Sequence, residues 1–327
     1  MPRKTKEPTP PKEAASRVSY FLGFDGGGSK TECVLADGEG RLLTRAFAGP
    51  SNPLRAGYAR AWFALSDAAD TVLSRQKIRA TDIRGIYAGL GGAGRSGVAR
   101  RVTAFFEGAY PNARVRVASD IEIALEAAFG AGEGIILLAG TGSAAFGRDS
   151  SGKTARAGGR GPWFSDDGSA FDIGRKAFRA VASAEENRGP ATRLTERIFP
   201  WHQVTGWDLL LEHIAKNPDD VFPRTFPLVA QLADKDDAVS REILSIAAKD
   251  LAQLVSVVAA RLAWGGVDIP MAKVGGVHGR SKFLDAAIDA EVGKVVPKVR
   301  WVPVECSPAE AAARSAVRVA NAKGNAA

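Results

Sequence analysis

The chain has 327 residues, of which 45% are hydrophobic and 24% charged, and its formal net charge is +8. This is the composition of a globular protein long enough for two domains, and no apolar run approaches the ~20 residues that a membrane-spanning helix needs. Outside the N-terminal tail the positive charge is too dilute for a nucleic-acid-binding surface, and no basic stripe with interleaved aromatic residues is present.

The N-terminal residues 1–18 are rich in proline, lysine and glutamate, with five basic and two acidic side chains. This composition predicts a disordered basic tail, and no apolar segment follows that would make it a secretory signal. Two cysteines, Cys33 and Cys306, fit a reducing cytoplasm. Neither they nor the three histidines have the spacing of a metal site, so we expect a cytoplasmic protein without zinc.

The first predicted element is a β-hairpin over residues 20–36. Its first apolar run ends at Asp25, its tip is the glycine-rich stretch Gly26–Thr31, and a turn Asp37-Gly38-Glu39-Gly40 follows the second run. Glycine lets backbone N–H groups converge on one point, and concave arrays of this kind bind phosphate. Asp25 has two interpretations, a ligand-associated carboxylate or a residue that caps the turn.

The segment after the hairpin alternates between strand and helix patterns. The pattern predicts a strand at 41–48, a loop at 49–53, a helix at 56–75, a strand at 83–88 that ends in Gly89–Gly94, a helix at 98–106, a strand at 115–118 and a helix at 121–129. Asp120 stands at the carboxyl end of a strand, where α/β proteins place their ligands. Its alternative role is to cap the helix that begins at Ile121.

Residues 134–153 repeat the pattern of the first hairpin. An apolar run, the turn Gly140-Thr141-Gly142-Ser143, a second apolar run and the turn Asp149-Ser150-Ser151-Gly152 follow one another. An ordinary hairpin turn would explain either copy alone. Two copies of strand, glycine-rich turn, strand and Asp-x-x-Gly turn indicate an internal duplication, with two phosphate-binding turns that face each other across a cleft.

The rest of the chain continues the alternation. A glycine-rich stretch at 157–169 opens a helix at 170–184, with Asp166, Asp167 or Ser169 as candidates for its N-cap. Residues 191–262 are predicted to be largely helical; a strand at 271–274 enters Gly275-Gly276, and a helix near 281, a strand at 299–304 and a helix at 305–319 follow. We expect an α/β protein with domains at 19–129 and 130–320, the second with a helical insertion, and a frayed end at 321–327.

Two other glycine patterns suggest different nucleotide sites. The stretch Gly23–Thr31 has one residue too many before Lys30 for a Walker A loop, and a strand rather than a helix follows it, so we reject that interpretation. The stretch Gly89–Gly94 reads G-x-G-x-x-G after a strand and before a helix. It is typical of dinucleotide binding, and an NAD(P)-dependent oxidoreductase is therefore the alternative function.

Six stretches together resemble one known family: FLGFDGGGSKTECVLAD, the Asn52 loop, VRVASDIEIAL, GIILLAGTGSAAFG, AGGRGPWFSDDGSAFDIGRKA and VGGVHGRSKFL. They span nearly the whole chain in the family's order. On these residues the chain resembles the N-acetylglucosamine kinase group of the BadF/BadG/BcrA/BcrD ATPases, in the actin/hexokinase/Hsp70 superfamily. The resemblance implies an α/β fold of two RNase-H-like, actin-like ATPase lobes, with ATP and Mg²⁺ in the cleft between them.

The resemblance also implies a role for each matching position. Asp25 would be the metal-associated carboxylate and Asp120 the general base. The phosphates would be cradled by Gly26, Gly27, Gly28, Ser29, Lys30 and Thr31 and by Gly140, Thr141, Gly142 and Ser143, and adenosine would lie against Gly275 and Gly276. The sugar would contact Asn52, Gly91, Gly92 and Asp166. The expected partner is a small-molecule sugar, and a homodimer is one assembly that the resemblance allows.

The predicted sugar loop departs from the family's pattern. The family reads G-G-W-G-P-x-x-G-D-E-G, whereas this chain has GGRGPWFSDDG, with Arg160 in place of tryptophan, Ser165 in place of glycine and Asp167 in place of glutamate. Trp163 and Phe164 occupy positions that are usually aliphatic. The sugar therefore remains open among N-acetylglucosamine, glucosamine, an N-acetylmuramic-type sugar and another hexose. A non-catalytic sugar or nucleotide sensor is a second alternative, whereas the cysteine pattern of iron–sulfur-bearing activators is missing.

Overall fold

The structure is a computed structural model that describes residues 19–262, 264 and 268–321. The predicted disordered tail at 1–18 and residues 322–327 of the predicted frayed end lie outside the described residues. The described chain divides into two compact units, of which unit 1 comprises 19–120 with 312–321 and unit 2 comprises 121–311.

Unit 1 is built on a mixed β-sheet with helices packed against it. Its strands are β1 Tyr20–Gly26, β2 Thr31–Asp37, β3 Leu42–Ala48, β4 Ile83–Leu90 and β5 Arg114–Ser119, and its helices are α1 Pro53–Ala56, α2 Tyr58–Gln76 and α3 Ser96–Ala109. The strands β1, β2 and β3 form an antiparallel meander, and β4 and β5 continue the sheet in parallel with β1. The central strands are nearly continuous apolar runs because both of their faces are covered.

Unit 2 has a second mixed sheet and most of the helices. Its strands are β6 Gly134–Ala139, β7 Ser143–Arg148, β8 Thr154–Gly158, β9 Ile269–Val274 and β10 Val299–Trp301. The helices of this part of the chain are α4 Asp120–Phe129, α5 Ala170–Glu185, α6 Leu194–Trp201, α7 Trp207–Lys216, α8 Pro218–Ala233, α9 Ala238–Leu262, α10 Lys282–Val295 and α11 Pro308–Asn321. Helices α5 to α9 stand between β8 and β9, where the sequence predicted a helical segment.

The two sheets have the same strand order. Within the described residues unit 1 has the order β3-β2-β1-β4-β5, and unit 2 has the corresponding order β8-β7-β6-β9-β10. In both, the first three strands form an antiparallel meander and the last two run parallel to the first. The α/β class and the duplicated RNase-H-like topology predicted from the sequence are confirmed.

The Asp-x-x-Gly turns of the two copies have matching hydrogen bonds. The N–H of Asp37 donates to the carbonyl oxygen of Arg41, and the N–H of Asp149 donates to that of Lys153, both at 3.0 Å. Each aspartate also accepts two backbone N–H bonds with its Oδ1 atom at 2.9–3.0 Å. The repeated sequence thus folds into the same local structure twice, because the same short polar side chain closes the turn.

Helix α9 is long and apolar enough, by length and composition, to cross a membrane. In the structure its buried residues recur every three or four positions, as in Leu244, Ala247, Leu251 and Val255, and they pack in the core of unit 2. The helix also carries charged side chains, and one of them, Asp250, pairs with the Lys176 ammonium group at 3.2 Å. The length and hydropathy of α9 are therefore explained by its place in the core.

The unit boundaries differ from the predicted domains 19–129 and 130–320 in two places. Helix α4 from Ile121 onwards groups with unit 2, because Ile121 packs in a buried cluster with β6 and β7. The last turns of α11 group with unit 1, where the carbonyl oxygen of Ala316 would lie 2.6 Å from a Cβ atom on Gly85 of β4. These helices depart from the predicted boundaries because each packs on the sheet that buries its apolar face.

Candidate functional site

Three parallel strands of unit 1 end together at one edge of the sheet. The register places Gly26 of β1 beside Leu90 of β4, and Leu90 beside Ser119 of β5. Asp25 is the penultimate residue of β1 and Asp120 directly follows β5, so both carboxylates belong to this edge. Because neighbouring strands are ~4.8 Å apart, the backbones of β1 and β5 are about 10 Å apart, with β4 between them.

The glycine-rich turn of unit 1 connects β1 to β2. The N–H of Gly27 donates to the carbonyl oxygen of Lys30 at 3.0 Å, and the tip Gly28–Lys30 is exposed. At Gly26 a Cβ atom would lie 2.1 Å from the Ser51 hydroxyl oxygen, so this position accepts only glycine. At Gly27 a Cβ atom would have no neighbour closer than 3.9 Å. The turn is therefore tightly packed at Gly26 and has open space beside Gly27.

Two polar side chains of the predicted phosphate turn are directed to other parts of unit 1. Thr31 is fully buried, and its hydroxyl group lies 2.7 Å from the carbonyl oxygen of Gly49 and 2.7 Å from the hydroxyl oxygen of Ser51. The Lys30 ammonium group lies 5.5 Å from the centre of the Phe47 ring on β3. Thr31 thus ties the hairpin to the next loop, and the predicted phosphate contacts of both side chains stay predictions.

The predicted sugar residues of unit 1 lie beside this turn. The carbonyl oxygen of Gly27 accepts the N–H of Asn52 at 3.0 Å, and the carbonyl oxygen of Gly26 accepts the N–H of Gly91 at 2.7 Å. The Asn52 amide nitrogen would be 2.9 Å from a Cβ atom on Gly91, and its oxygen 3.2 Å from one on Gly92. The structure therefore brings Asn52, Gly91 and Gly92 together with the base of the glycine turn.

The carboxylates at the sheet edge are coupled electrostatically. Burial raises the pKa of Asp25 to about 7; the negative charges of Asp120 and Glu32 add to the rise, and Lys30 opposes it. A divalent cation would offset this negative charge, and Mg²⁺ typically uses only one or two carboxylates together with phosphate oxygens and water. Within the described residues no group of three or more such side chains could hold a metal alone. The donor set therefore fits a nucleotide-bound Mg²⁺ rather than a protein-enclosed metal.

In unit 2 the second glycine turn packs against the turn after β9. The N–H of Gly140 donates to the carbonyl oxygen of Gly142 at 2.8 Å, and the N–H of Val277 donates to that of Ala139 at 3.0 Å. Gly275 has a φ of +105°, and a Cβ atom there would lie 2.3 Å from the Ala139 carbonyl oxygen. Glycine is thus required at 275, and the predicted adenosine turn lies beside the predicted phosphate turn of the same unit.

Asp166 has an unusual backbone conformation next to the second turn. Its φ is +68° and its side chain is buried, 7% exposed. A carboxylate oxygen of Asp166 would be 2.8 Å from a Cβ atom on Gly142. The structure therefore brings Asp166 together with the second turn.

The N-cap of α5 is Ser169, whose hydroxyl accepts the N–H of Asp172 at 3.2 Å. Of the three candidates for this N-cap, the structure selects Ser169 rather than Asp166 or Asp167. Ser143 of the second turn donates its hydroxyl proton to the carbonyl oxygen of Asp167 at 2.7 Å. This bond connects the predicted sugar loop to the phosphate turn.

The residues that depart from the family's pattern are on the surface of unit 2. Trp163 is 70% exposed and Phe164 is 87% exposed, and the Trp163 ring contacts Phe171 of α5 edge-on at 6.2 Å between centroids. Arg160 is also exposed and stands between the positive-φ residues Gly159 and Gly161. Large aromatic side chains thus replace aliphatic ones at positions that a ligand can reach.

One side chain beside the first turn was not predicted from the sequence. The Arg55 guanidinium group of α1 packs against Gly28, where a Cβ atom would lie 3.3 Å from a terminal nitrogen. Arg55 belongs to no motif, and only the fold brings it to the turn. In the sequence, the only indication of this contact is a basic residue that closely follows the Asn52 loop.

A comparison with family models matches residues 22–313 to the BadF/BadG/BcrA/BcrD ATPase family. Two relatives are similar over nearly their whole length. An N-acetylmuramic acid/N-acetylglucosamine kinase from Clostridium acetobutylicum is 27% identical over 88% of this chain and 95% of its own length. An N-acetyl-D-glucosamine kinase from Dictyostelium discoideum is 28% identical over 90% of this chain and 96% of its own length.

Among solved structures the chain is similar to one described as an N-acetylglucosamine kinase from Chromobacterium violaceum. The TM-score is 0.73 at 23% identity, and the match covers 93% of this chain and 100% of that one. At this identity the likeness establishes the fold. The dinucleotide alternative gains no support, since β1 to β3 form an antiparallel meander whereas a Rossmann sheet is mostly parallel.

Proposed function

The chain belongs to the BadF/BadG/BcrA/BcrD ATPase family, and we propose that it is an ATP-dependent kinase that phosphorylates a hydroxyl group of an amino sugar. The observation that carries the proposal is the sheet edge of unit 1, to which Asp25 and Asp120 both belong and where Asn52 is hydrogen-bonded to the glycine turn. Phosphoryl transfer needs positioning and charge stabilisation more than covalent chemistry; in this proposal the turn and Asn52 contribute positioning, and a cation held by Asp25 would contribute the charge stabilisation. The two full-length relatives that are named as amino-sugar kinases support the substrate class.

ATP is the phosphoryl donor in this proposal, and each unit offers a glycine turn as a phosphate-binding element. In unit 1 the exposed tip Gly28–Lys30 offers backbone donors to an anion, and in unit 2 the turn Gly140–Ser143 does so. The adenosine part lies against Gly275 and Gly276. Asp25 would hold Mg²⁺, which supplies charge neutralisation on the phosphates when bound.

Asp120 acts as the general base in this proposal. It follows β5 at the sheet edge and is exposed, so an incoming sugar hydroxyl can reach its carboxylate. A carboxylate that accepts the hydroxyl proton contributes typically ~10²–10⁴ in rate. Asn52, Gly91 and Gly92 would position the sugar in unit 1, and Asp166 of unit 2 would contact it as well.

The identity of the sugar depends on the altered loop. Arg160, Trp163 and Phe164 are exposed and differ from the residues of the family's pattern. In the proposal they change the shape and the charge of the surface that the sugar contacts. N-acetylglucosamine, glucosamine and an N-acetylmuramic-type sugar remain the candidates within the amino-sugar class. We expect the enzyme in the cytoplasm, because the chain has only two cysteines, Cys33 and Cys306.

The proposal is tested by kinase assays with a panel of these sugars and Mg·ATP. We expect sugar-dependent release of ADP and a phosphorylated sugar. ATP hydrolysis that does not depend on any sugar would contradict the kinase function. A sugar-induced rise in melting temperature without phosphoryl transfer would instead identify a sensor, and stabilisation by NAD(P) but not by ATP would favour the oxidoreductase.

A further inference from the structure

Arg55 stands at the junction of two parts of the proposed site. The carbonyl oxygen of Asn52 accepts the N–H of Arg55 at 3.1 Å, and Asn52 is itself bonded to the carbonyl oxygen of Gly27 at 3.0 Å. The side chain of Arg55 then returns to the glycine turn, where it passes over Gly28. The residue is therefore fixed by its backbone to the predicted sugar loop and by its side chain to the predicted phosphate turn.

The contact with Gly28 depends on the absence of a side chain there. A Cβ atom on Gly28 would lie 3.1 Å from the Cδ atom of Arg55, 3.3 Å from a terminal nitrogen and 3.9 Å from Nε. These distances are at or below ordinary van der Waals contact, so a larger residue would displace the guanidinium group. Glycine at position 28 thus leaves room for the arginine side chain.

The lysine in the turn is placed differently. The Lys30 ammonium group lies 5.5 Å from the centre of the Phe47 ring, on the side of β3. Such a cation–π contact stabilises that position. The cationic group that packs on the tip of the turn is therefore contributed by Arg55, although the sequence pattern directs attention to Lys30.

The location of Arg55 determines which phosphate it can reach. In the proposed reaction the transferred phosphoryl group lies between the remainder of the nucleotide and the sugar hydroxyl. Arg55 connects Gly27 and Gly28, on the phosphate side, to Asn52, on the sugar side. A guanidinium group presents its N–H donors in a rigid fork, which binds phosphate oxygens in a bidentate manner.

We propose that Arg55 is a catalytic residue that binds the transferred phosphoryl group of ATP and stabilises the charge on it during transfer. The inference rests on the proposed kinase function. It adds a contact to the terminal phosphate that no motif in the sequence identifies. ADP lacks that phosphate and should therefore bind independently of Arg55.

The test compares Arg55→Ala and Arg55→Lys with the unaltered chain and with Arg60→Ala. Arg60 is an exposed residue of α2 in the same unit, so its replacement removes the same charge elsewhere. Arg55→Ala should lower kcat about 100-fold and weaken ATP binding about 10-fold, since contacts of this kind supply large factors in phosphoryl transfer. Arg55→Lys should recover part of kcat, and ADP affinity, measured by calorimetry, should stay within about twofold throughout.

Unchanged ADP binding shows that a variant is folded. The inference is overturned if Arg55→Ala keeps both kcat and the ratio of ATP to ADP affinity within about twofold of the unaltered chain. It is also overturned if Arg60→Ala lowers kcat and ATP affinity as much as Arg55→Ala does. If the unaltered chain transfers no phosphate to any amino sugar, the proposed function fails by itself. The affinity ratio then still decides whether Arg55 contacts the terminal phosphate.

Discussion

A pair of alanine substitutions in the first glycine turn separates its structural role from its proposed binding role. At Gly26 an added methyl group would lie 2.1 Å from the Ser51 hydroxyl oxygen and 2.4 Å from the Leu90 side chain. Both neighbours are buried, so they would have to shift by about 1 Å, and overpacking of this kind costs about 1–3 kcal/mol. At Gly27 the nearest atom is 3.9 Å away, so Gly27→Ala should leave the free energy of unfolding unchanged.

The binding effect should have the opposite order. If the turn binds phosphate, a methyl group in the open space beside Gly27 should hinder the anion, and a lost bond between a backbone donor and a phosphate is worth about 1.5–3 kcal/mol. That corresponds to roughly a 10- to 150-fold weaker affinity for Mg·ATP. Gly27→Ala should thus bind ATP poorly while it unfolds at the same denaturant concentration as the unaltered chain.

The assays are isothermal calorimetry with Mg·ATP and urea unfolding followed by circular dichroism. Gly26→Ala serves as the reference variant, because its methyl group should destabilise the packing at the base of the turn. If Gly27→Ala is as stable as the unaltered chain and binds ATP with equal affinity, the turn is an ordinary hairpin tip. The assignment of the first phosphate site would then be refuted.

Two further outcomes follow from the site and from the buried histidines. Asp120→Asn should lower kcat by ~10²–10⁴ while sugar affinity is kept, and a variant that keeps full turnover would remove Asp120 from the mechanism. Burial lowers the pKa of His202 to about 4, below the ~6.5 of an unfolded chain, so its contribution to stability is complete above about pH 6.5 and is lost as pH falls toward 4. Between pH 7.5 and 5 the protonation of His202 should lower the unfolding free energy by about 1–2 kcal/mol, and the fall should be smaller in His202→Gln. The measurement is urea unfolding in a buffer without phosphate. An equal fall in the two proteins would contradict the role of His202.

Much of the fold could be predicted because local residue patterns determine it. The hairpins follow from apolar runs around glycine, and the Asp37 and Asp149 turns follow from a short acceptor side chain two and four residues before the N–H groups it binds. The strand β8 was missed, since Thr154–Gly158 is only partly buried and merges into the glycine-rich stretch. Its place is set by pairing with β7, which is a tertiary effect.

Residues of the candidate site could be predicted only where they belong to a recognisable sequence motif. Asp25, Asp120 and Asn52 stand at strand ends or in a loop that the pattern identifies, and the structure of unit 1 brings them to one edge. The burial of Thr31 and the contact of Arg55 with Gly28 depend on how distant loops pack, so no local pattern contains them. The positive φ of Asp166 likewise depends on the path of the whole loop.

The central claim is that the glycine turn of each unit binds phosphate of ATP. Gly140 permits the direct measurement, because a Cβ atom there would have no neighbour closer than 3.9 Å and the fold tolerates alanine. Calorimetry of Gly140→Ala, beside Gly27→Ala, should give one ATP bound per chain and an affinity at least about 10-fold below that of the unaltered chain. Unaltered ATP affinity in a folded Gly140→Ala chain would contradict the claim.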